Sequence, residues 1–295
     1  MKKLLYVFTS VLFVLGLSSF VSKKNSEVVP EHKSLLWKIE GNGLKTPSYL
    51  FGTMHMIEKE YFYFPKSLEK ILKKSELLVM EIANVSQMDA MQHLMLKEGT
   101  FFDFFSPEQT DTILHWASDK LKMDEATFRM SFNKMKPFVV VQAATQMNFM
   151  GKTESYEYTL ERIAKENKIK TAGLETVADQ IKIFDDLTKE QQAEMVLSGI
   201  REEDKSMETT RKMQGLYKRQ RLDSLYMYIR DEGGVLAEEQ HTFLDQRNVN
   251  WIPQIKKFAE QGTSFIAVGA GHLGGSKGVI RLLEQEGYKV TPVKL

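Results

Sequence analysis

Residues 47–57 read PSYLFGTMHMI, and residues 263–275 read TSFIAVGAGHLGG. In each, a short apolar run meets a glycine and, two residues further on, a histidine: Gly52-x-x-His55 and Gly269-x-x-His272. A short unbroken apolar run closed by turn formers is the pattern of a strand buried on both faces, as parallel sheets covered by helices contain. In open sheets of that kind, ligands bind in the crevice beyond the carboxyl ends of the strands. Two strands that deliver a histidine at that same end therefore point to a site. Gly52, Gly269 and Gly271 suit a sharp exit from the sheet or a close backbone approach to a ligand.

Outward from these two runs, the elements alternate. LLWKIEG (residues 35–41) and SYLFGT are joined through Asn42-Gly43, a hairpin signal. KSLEKILKKSE has helical periodicity, and LLVMEIA (residues 77–83) is another buried strand that carries Glu81 at its end. The Met- and Phe-rich stretch from Val85 to Lys136 is helical in pattern; within it, Ser106 caps a helix that Pro107 opens. PFVVVQAATQMNFM is a helix by length, and YEYTLERIAKENK is amphipathic. IKTAGLE is a strand ending on Gly173 and Glu175; a helix follows from Thr176, which Glu175 is also positioned to cap. Residues from Asp179 to Arg247 are charged and helical, an insertion or lid. WIPQIKKFAEQ, the second motif strand, the helix KGVIRLLEQEG and the strand YKVTPV close the chain. The expected fold is α/β: a central mixed, largely parallel sheet flanked by helices, with a long helical insertion.

Four strand ends thus supply His55, Glu81, Glu175 and His272, a ligand set suited to a borderline divalent cation. Glu81, in an otherwise apolar strand, is costly to bury unless it is paired or bound to a cation. His93, His115 and His241 fall in charged helical stretches and read as solvated, and His32 reads as part of the N-terminal lead-in.

The chain has 295 residues, of which 42% are hydrophobic and 27% charged, with a net charge of +1 and acids and bases interspersed. That balance argues against nucleic acid and a polybasic membrane surface, and for a peptide or small-molecule substrate. Lys2 and Lys3, an apolar run from Leu4 to Leu17, and small residues at Gly16, Ser18 and Ser19 form a secretory signal. The expected division is a signal peptide over 1–18, a mobile lead-in over 19–31 and one domain over 32–295, in a periplasmic or extracellular protein. The apolar run is short of the roughly 20 residues of a membrane span, so no stable span is expected after signal cleavage. The chain has no cysteine, which excludes disulfides and thiolate sites. HExxH does not occur, which disfavours zincin chemistry.

YLFGTMH, LLVMEIA, AGLETVADQ, LDQRNVNW and VGAGHLGGSKGVIRLLEQEGYKV occur in that order. This series resembles the motifs of the TraB/GumN family, to which the TIKI metalloproteases are related, from about Leu35 to Leu295. The resemblance implies a divalent-metal-dependent hydrolase, with peptide bonds as the substrate in the TIKI branch. It maps onto Gly52 with His55, Gly269 with His272, Glu81, Glu175, and the Arg247-Asn248 pair. An ion such as Zn, Mn or Co, held by imidazole and carboxylate, lowers the pKa of bound water from about 16 to about 7. In this reading Glu81 is a ligand, Glu175 a ligand or general base, and Arg247 either a donor to a developing oxyanion or a substrate carboxylate, or else a salt-bridge partner fixing the preceding helix. The alternative is a haem- or metal-binding envelope protein without turnover, resembling the ChaN-like proteins. Its pocket would be lined by Met88, Met91, Met95, Met130, Met135, Met147 and Met150, residues that at helical spacing otherwise read as core filler.

Overall fold

The computed structural model describes residues 32–232 and 241–295. Its centre is a six-stranded sheet of β1 (Leu36–Glu40), β2 (Ser48–Thr53), β4 (Leu77–Met80), β6 (Lys170–Gly173), β7 (Ser264–Gly269) and β8 (Lys289–Val293), ordered β6-β4-β7-β2-β1-β8. The short strands β3 (Ile57–Glu58) and β5 (Thr153–Glu154) pair separately. Pairings β6-β4, β4-β7 and β7-β2 are parallel, and β1 runs antiparallel to both β2 and β8. This is the mixed, largely parallel α/β sheet that the alternating pattern predicts. The β1–β2 hairpin turns through Gly41, Asn42 and Gly43, all with positive φ, as the Asn-Gly pair foretells.

β7 is the hub, because strands with apolar residues on both faces need neighbours on both sides and helices above and below. Phe265, Ile266, Ala267 and Val268 are buried in one cluster with Leu50, Phe51, Leu78 and Val79 from the flanking strands. Tyr156, Leu160 and Ile163 from the helix Tyr156–Glu166 join that cluster, as do Trp251, Ile252 and Ile255 from the helix Arg247–Gln261. The register aligns the strand ends. Thr53 lies opposite Gly269, and Met80 is opposite both Ala267 and Gly173. The residues that follow these positions therefore emerge together.

Two further apolar clusters lie in the helical part. One joins Leu94, Phe138, Ile181, Phe184 and Met195, and the other joins Phe101, Trp116, Phe128, Val140 and Val196. Local sequence signals are obeyed closely here. Ser106 accepts from the amide of Gln109 ahead of Pro107, and Thr176 with Asp179 forms a capping box at the helix Val177–Asp185. Thr176 itself is thus the cap, which frees Glu175 for another role.

Three expectations change. His32 belongs to the folded domain rather than a lead-in: it is buried, its amide and Nδ1 bond the Asp223 carboxylate at 2.6 and 2.9 Å, and its ring meets Trp37 edge-on. Met88, Met95, Met130 and Met150 are exposed rather than core filler, because each lies on the outer side of its helix or at a turn. Gly52, Gly269 and Gly271 do not carry positive φ, so their role is close approach and not a left-handed turn. His93 and His115 are exposed, as expected. The signal segment, the lead-in over 19–31 and the side chain of His241 lie outside the described residues. Among the described residues, no helix is long and apolar enough to cross a membrane.

Candidate functional site

The sheet brings His55, Glu81, Glu175, His272 and Arg247 to one edge, the carboxyl ends of β2, β4, β6 and β7. Glu81 follows the last residue of β4, and its backbone carbonyl accepts from the amides of Leu174 and Glu175 at 3.1 and 3.0 Å. That contact draws the end of β6 against the end of β4. The helix Arg247–Gln261 begins at the same edge, so Arg247 enters at its first turn.

Arg247 is the centre of the cluster. Its Nη2 donates to Glu81 Oε2 at 2.7 Å and to Glu175 Oε1 at 2.5 Å, and its Nε lies 3.1 Å from Glu175 Oε2. Trp251, one turn along the helix, donates its indole N–H to Glu175 Oε2 at 3.0 Å, and its ring lies 4.8 Å from the guanidinium carbon. The fork thus binds two carboxylates from two strand ends, which a point-like ammonium does less well. These bonds lock the start of the helix Arg247–Gln261 onto the sheet.

The remaining Glu81 oxygen, Oε1, accepts from the Gly269 amide at 2.7 Å and faces both imidazoles, with His55 Nε2 at 3.8 Å and His272 Nε2 at 3.9 Å. A Cβ on Gly269 would stand 3.3 Å from Glu81 Oε1 and 3.7 Å from His55 Nε2, so a side chain here would press the Glu81 carboxylate out of place by a few tenths of an ångström. Gln180 donates to Glu81 Oε2 at 3.1 Å. Glu81 is 5% exposed, yet each of its oxygens accepts at least one hydrogen bond, which is how a carboxylate survives in the interior.

Each ring is oriented from behind. His55 Nδ1 lies 2.9 Å from Glu157 Oε1, and Thr53 and Ser155 donate to the same carboxylate. His272 Nδ1 lies 2.7 Å from Asn248 Oδ1, while the Asn248 amide donates to the Lys277 carbonyl. Asn248 is thereby set as an acceptor toward His272, so Nδ1 of His272 carries the proton. Its Nε2 lone pair then faces inward, 3.2 Å from Arg247 Nη1.

The two histidines differ in charge. Burial would strip the proton from His55, but the Glu157 carboxylate and then Glu81 prevail and lift its pKa to about 9. Burial and the neighbouring Arg247 charge push His272 down to about 3. For Glu81, burial is outweighed by Arg247 and then by the histidines, which brings it to about 2.

Glu157, Asn248, Gln180 and Trp251 complete the site without having been singled out by chemistry. Glu157 follows Ser155, the cap of its helix, and reads as an ordinary acid in a first turn. Asn248 is visible only as the neighbour of Arg247. Among the described residues, no group of three or more His, Asp or Glu side chains is drawn together as a formed metal site. The donors are nevertheless of the right kind: two Nε2 atoms face one carboxylate oxygen, and each opposite ring nitrogen is anchored to an oxygen, the arrangement that fixes a ligating histidine. Two ligands of one ion with bonds of about 2.1 Å stand at most about 4.2 Å apart, a limit the 3.8 and 3.9 Å separations respect.

No curated protein and no solved structure matches this chain. A family model does, over residues 35–292, from the first strand of the sheet almost to the end of the last. With that match running through every strand end of the cluster, the chain belongs to the TraB/PrgY/gumN family.

Proposed function

We propose that this protein is an exported hydrolase that cleaves a peptide or related acyl bond with the help of one divalent ion at the strand-end cluster. The observation that carries the reading is the pair of inward-facing imidazoles, His55 and His272, each oriented from behind and both facing Glu81 Oε1. Charge supports it as well. Glu81, Glu157 and Glu175 oppose the guanidinium of Arg247 and the protonated ring of His55, which leaves the metal-free cluster formally one charge negative; an ion that displaces the His55 proton meets two negative charges.

His55 and His272 through Nε2, and Glu81 through Oε1, are the residues that would hold the ion. When bound, such an ion supplies an acidified water and a Lewis-acid contact for a carbonyl oxygen. Glu157 and Asn248 keep the two rings in their tautomers. Glu81 is the carboxylate that faces the rings, whereas Glu175, bonded by Arg247 and Trp251, anchors the guanidinium. That division takes Glu175 out of the ligand set and gives it a positioning role. Arg247, so anchored, keeps a fixed positive charge beside the reacting centre, where a developing oxyanion gains most from it. The helix Leu222–Glu232 packs on the turn that carries His272: Ile229 Cδ1 lies 2.7 Å from where a Cβ on Gly271 would be. The helical segment after β6 thus walls the site, consistent with a lid that selects substrate.

The test combines metal analysis and digestion. Purified protein, stripped and then reloaded with Zn2+, Mn2+ or Co2+, should hold about one ion per chain, and His55→Ala and His272→Ala should each lose it. The loaded protein should cleave members of a peptide library, and chelation should stop it. Cleavage that survives both chelation and Glu81→Gln overturns the mechanism. One bound ion without cleavage of any peptide overturns the hydrolase and leaves a metal-binding protein.

A further inference from the structure

His55 sits in a short stretch that makes no ladder of its own. Residues 54–56 link β2 to β3 outside any strand or helix, so the direction of the ring depends on how the two ends of that link are held. The β1–β2 pairing closes on Leu36 and Phe51, and Gly52 lies one residue beyond it. The Gly52 amide still donates to the Leu35 carbonyl at 2.8 Å, but its own carbonyl is met from outside the hairpin. Tyr217, buried on the helix Glu203–Lys218, donates its phenol O–H to that carbonyl at 2.8 Å. On β3 the Glu58 amide is met from the same helix, where the buried Gln214 accepts from it through Oε1 at 3.1 Å.

Gln214 and Tyr217 stand three residues apart and so share one face of their helix. They hold the chain three residues before and three residues after His55. Support for the ring converges on the same face. Tyr217 packs against Tyr156 with ring centroids 5.7 Å apart, and Tyr156 directly precedes Glu157, the partner of His55 Nδ1. Tyr156 is itself pinned, since its hydroxyl bonds both the amide and the carbonyl of Tyr63, at 3.2 and 3.0 Å. The next helix, Leu222–Glu232, lies on the second motif instead: Asp223 accepts from the Gly275 amide at 2.9 Å, and a Cβ on Gly274 would stand 2.7 Å from the Leu222 carbonyl oxygen. Two consecutive helices of the insertion thus hold one motif each.

We propose that Gln214 and Tyr217 are positioning residues for His55: they fix the backbone on either side of it and thereby set where its Nε2 points relative to Glu81 Oε1 and His272. A carbonyl and an amide tied to one packed helix leave the link between them few conformations, and a ring so restrained can meet an ion together with its partners. The inference rests on the metal-site reading only for its consequence for ion affinity, since the bonds themselves involve no ion.

The experiment compares Tyr217→Phe and Gln214→Met, each of which keeps the side-chain bulk and removes one hydrogen-bonding group, with Phe128→Leu, a packing change in an apolar cluster that shares no residue with the site. Full mature chains labelled with 15N at histidine are stripped with chelator and read by imidazole NMR, the His55 and His272 signals being assigned with His55→Ala and His272→Ala. Zn2+ affinity is then read by competition with a chelator, and circular dichroism checks that each variant folds; either variant tests the role by itself. In Tyr217→Phe and in Gln214→Met the His55 ring signals should move or broaden while those of His272 stay in place, and Zn2+ should bind about tenfold more weakly. Phe128→Leu should lower the melting temperature and change neither readout. His55 signals that stay at their wild-type positions in the folded variants, or that move as much in Phe128→Leu, overturn the positioning role. A displaced ring with wild-type Zn2+ affinity overturns its consequence for the ion. A wild-type chain that binds no Zn2+ overturns the metal-site reading, and the ring signals then decide the positioning role alone.

Discussion

The two Gly-x-x-His motifs are spelled alike and end neighbouring parallel strands, yet they hold opposite kinds of histidine. At the end of β2, His55 is backed by the Glu157 carboxylate and stays protonated to about pH 9. At the end of β7, His272 is backed by the neutral Asn248 amide, and burial first and the facing Arg247 guanidinium second keep it neutral down to about pH 3. The glycines differ as well. A Cβ on Gly269 would press on the strand-end cluster itself, whereas one on Gly52 would press on Ala270 at 3.1 Å and Leu273 at 3.3 Å, where the two motifs meet. One motif is thus an acid-backed cation and the other an amide-backed lone pair, a difference that comes entirely from residues outside both motifs.

The strongest way to break this contrast is to remove the charge at its centre. Arg247→Met leaves Glu81 and Glu175 buried without their cation and should cost about 3–5 kcal/mol in urea unfolding, because an uncompensated interior charge is far worse than a missing pair. In the same variant the His272 pKa should rise above about 3 but stay below the ordinary imidazole value, because burial, the larger cause of the depression, remains, while His55 stays high. An unshifted His272 in the imidazole NMR titration would show that burial alone depresses it.

The second way acts on the other motif. The His55 proton is held more tightly in the folded than in the unfolded protein, so its stabilisation is complete below about pH 6.5 and fades as pH rises through about 9. In the metal-free protein this loss amounts to roughly 3 kcal/mol over that window. Glu157→Gln should flatten that part of the stability curve and lower the His55 pKa, leaving His272 where it was. A wild-type curve that is level from pH 6.5 to 9 would contradict the ion pair.

Gly269→Ala should cost roughly 1–3 kcal/mol, as overpacking against a fixed group does. It should also displace Glu81, seen as a changed His55 titration; Gly52→Ala should cost a similar amount without moving either histidine pKa. The smallest effect lies beyond the second motif. Asp223 accepts from the Gly275 amide at 2.9 Å as well as from His32, which ties the glycine-rich tail of that motif to the start of the domain. Burial opposes ionisation of Asp223, but the bonds from the His32 ring and the two amides prevail and lower its pKa. Its contribution is therefore present above about pH 4 and lost as the carboxylate is protonated below it. Asp223→Asn should remove about 1 kcal/mol of stability at neutral pH and reduce the acid sensitivity of unfolding, as read by thermal melts at pH 3 and 7.

What the sequence determined by itself was the sheet and the direction of the site. Apolar runs, turn residues and caps act over a few residues, so the strand LLVM, the Asn42-Gly43 hairpin, the Ser106-Pro107 helix start and the alternation of strand and helix follow from local spacing alone. Because parallel strands end on a common side, His55, Glu81, Glu175 and His272 were bound to share an edge once those strands were recognised. Only the tertiary structure decided which charge each of them bears and what each is bonded to. Glu157 looks like any first-turn acid until its helix is laid beside β2, Glu175 looks like a cap until Arg247 takes it, and His32 looks like lead-in until Asp223 closes on it. Hydrophobic pattern is a property of neighbours in the chain, whereas the ionisation and pairing of a buried group are set by whatever lies within a few ångströms of it, wherever in the chain that comes from.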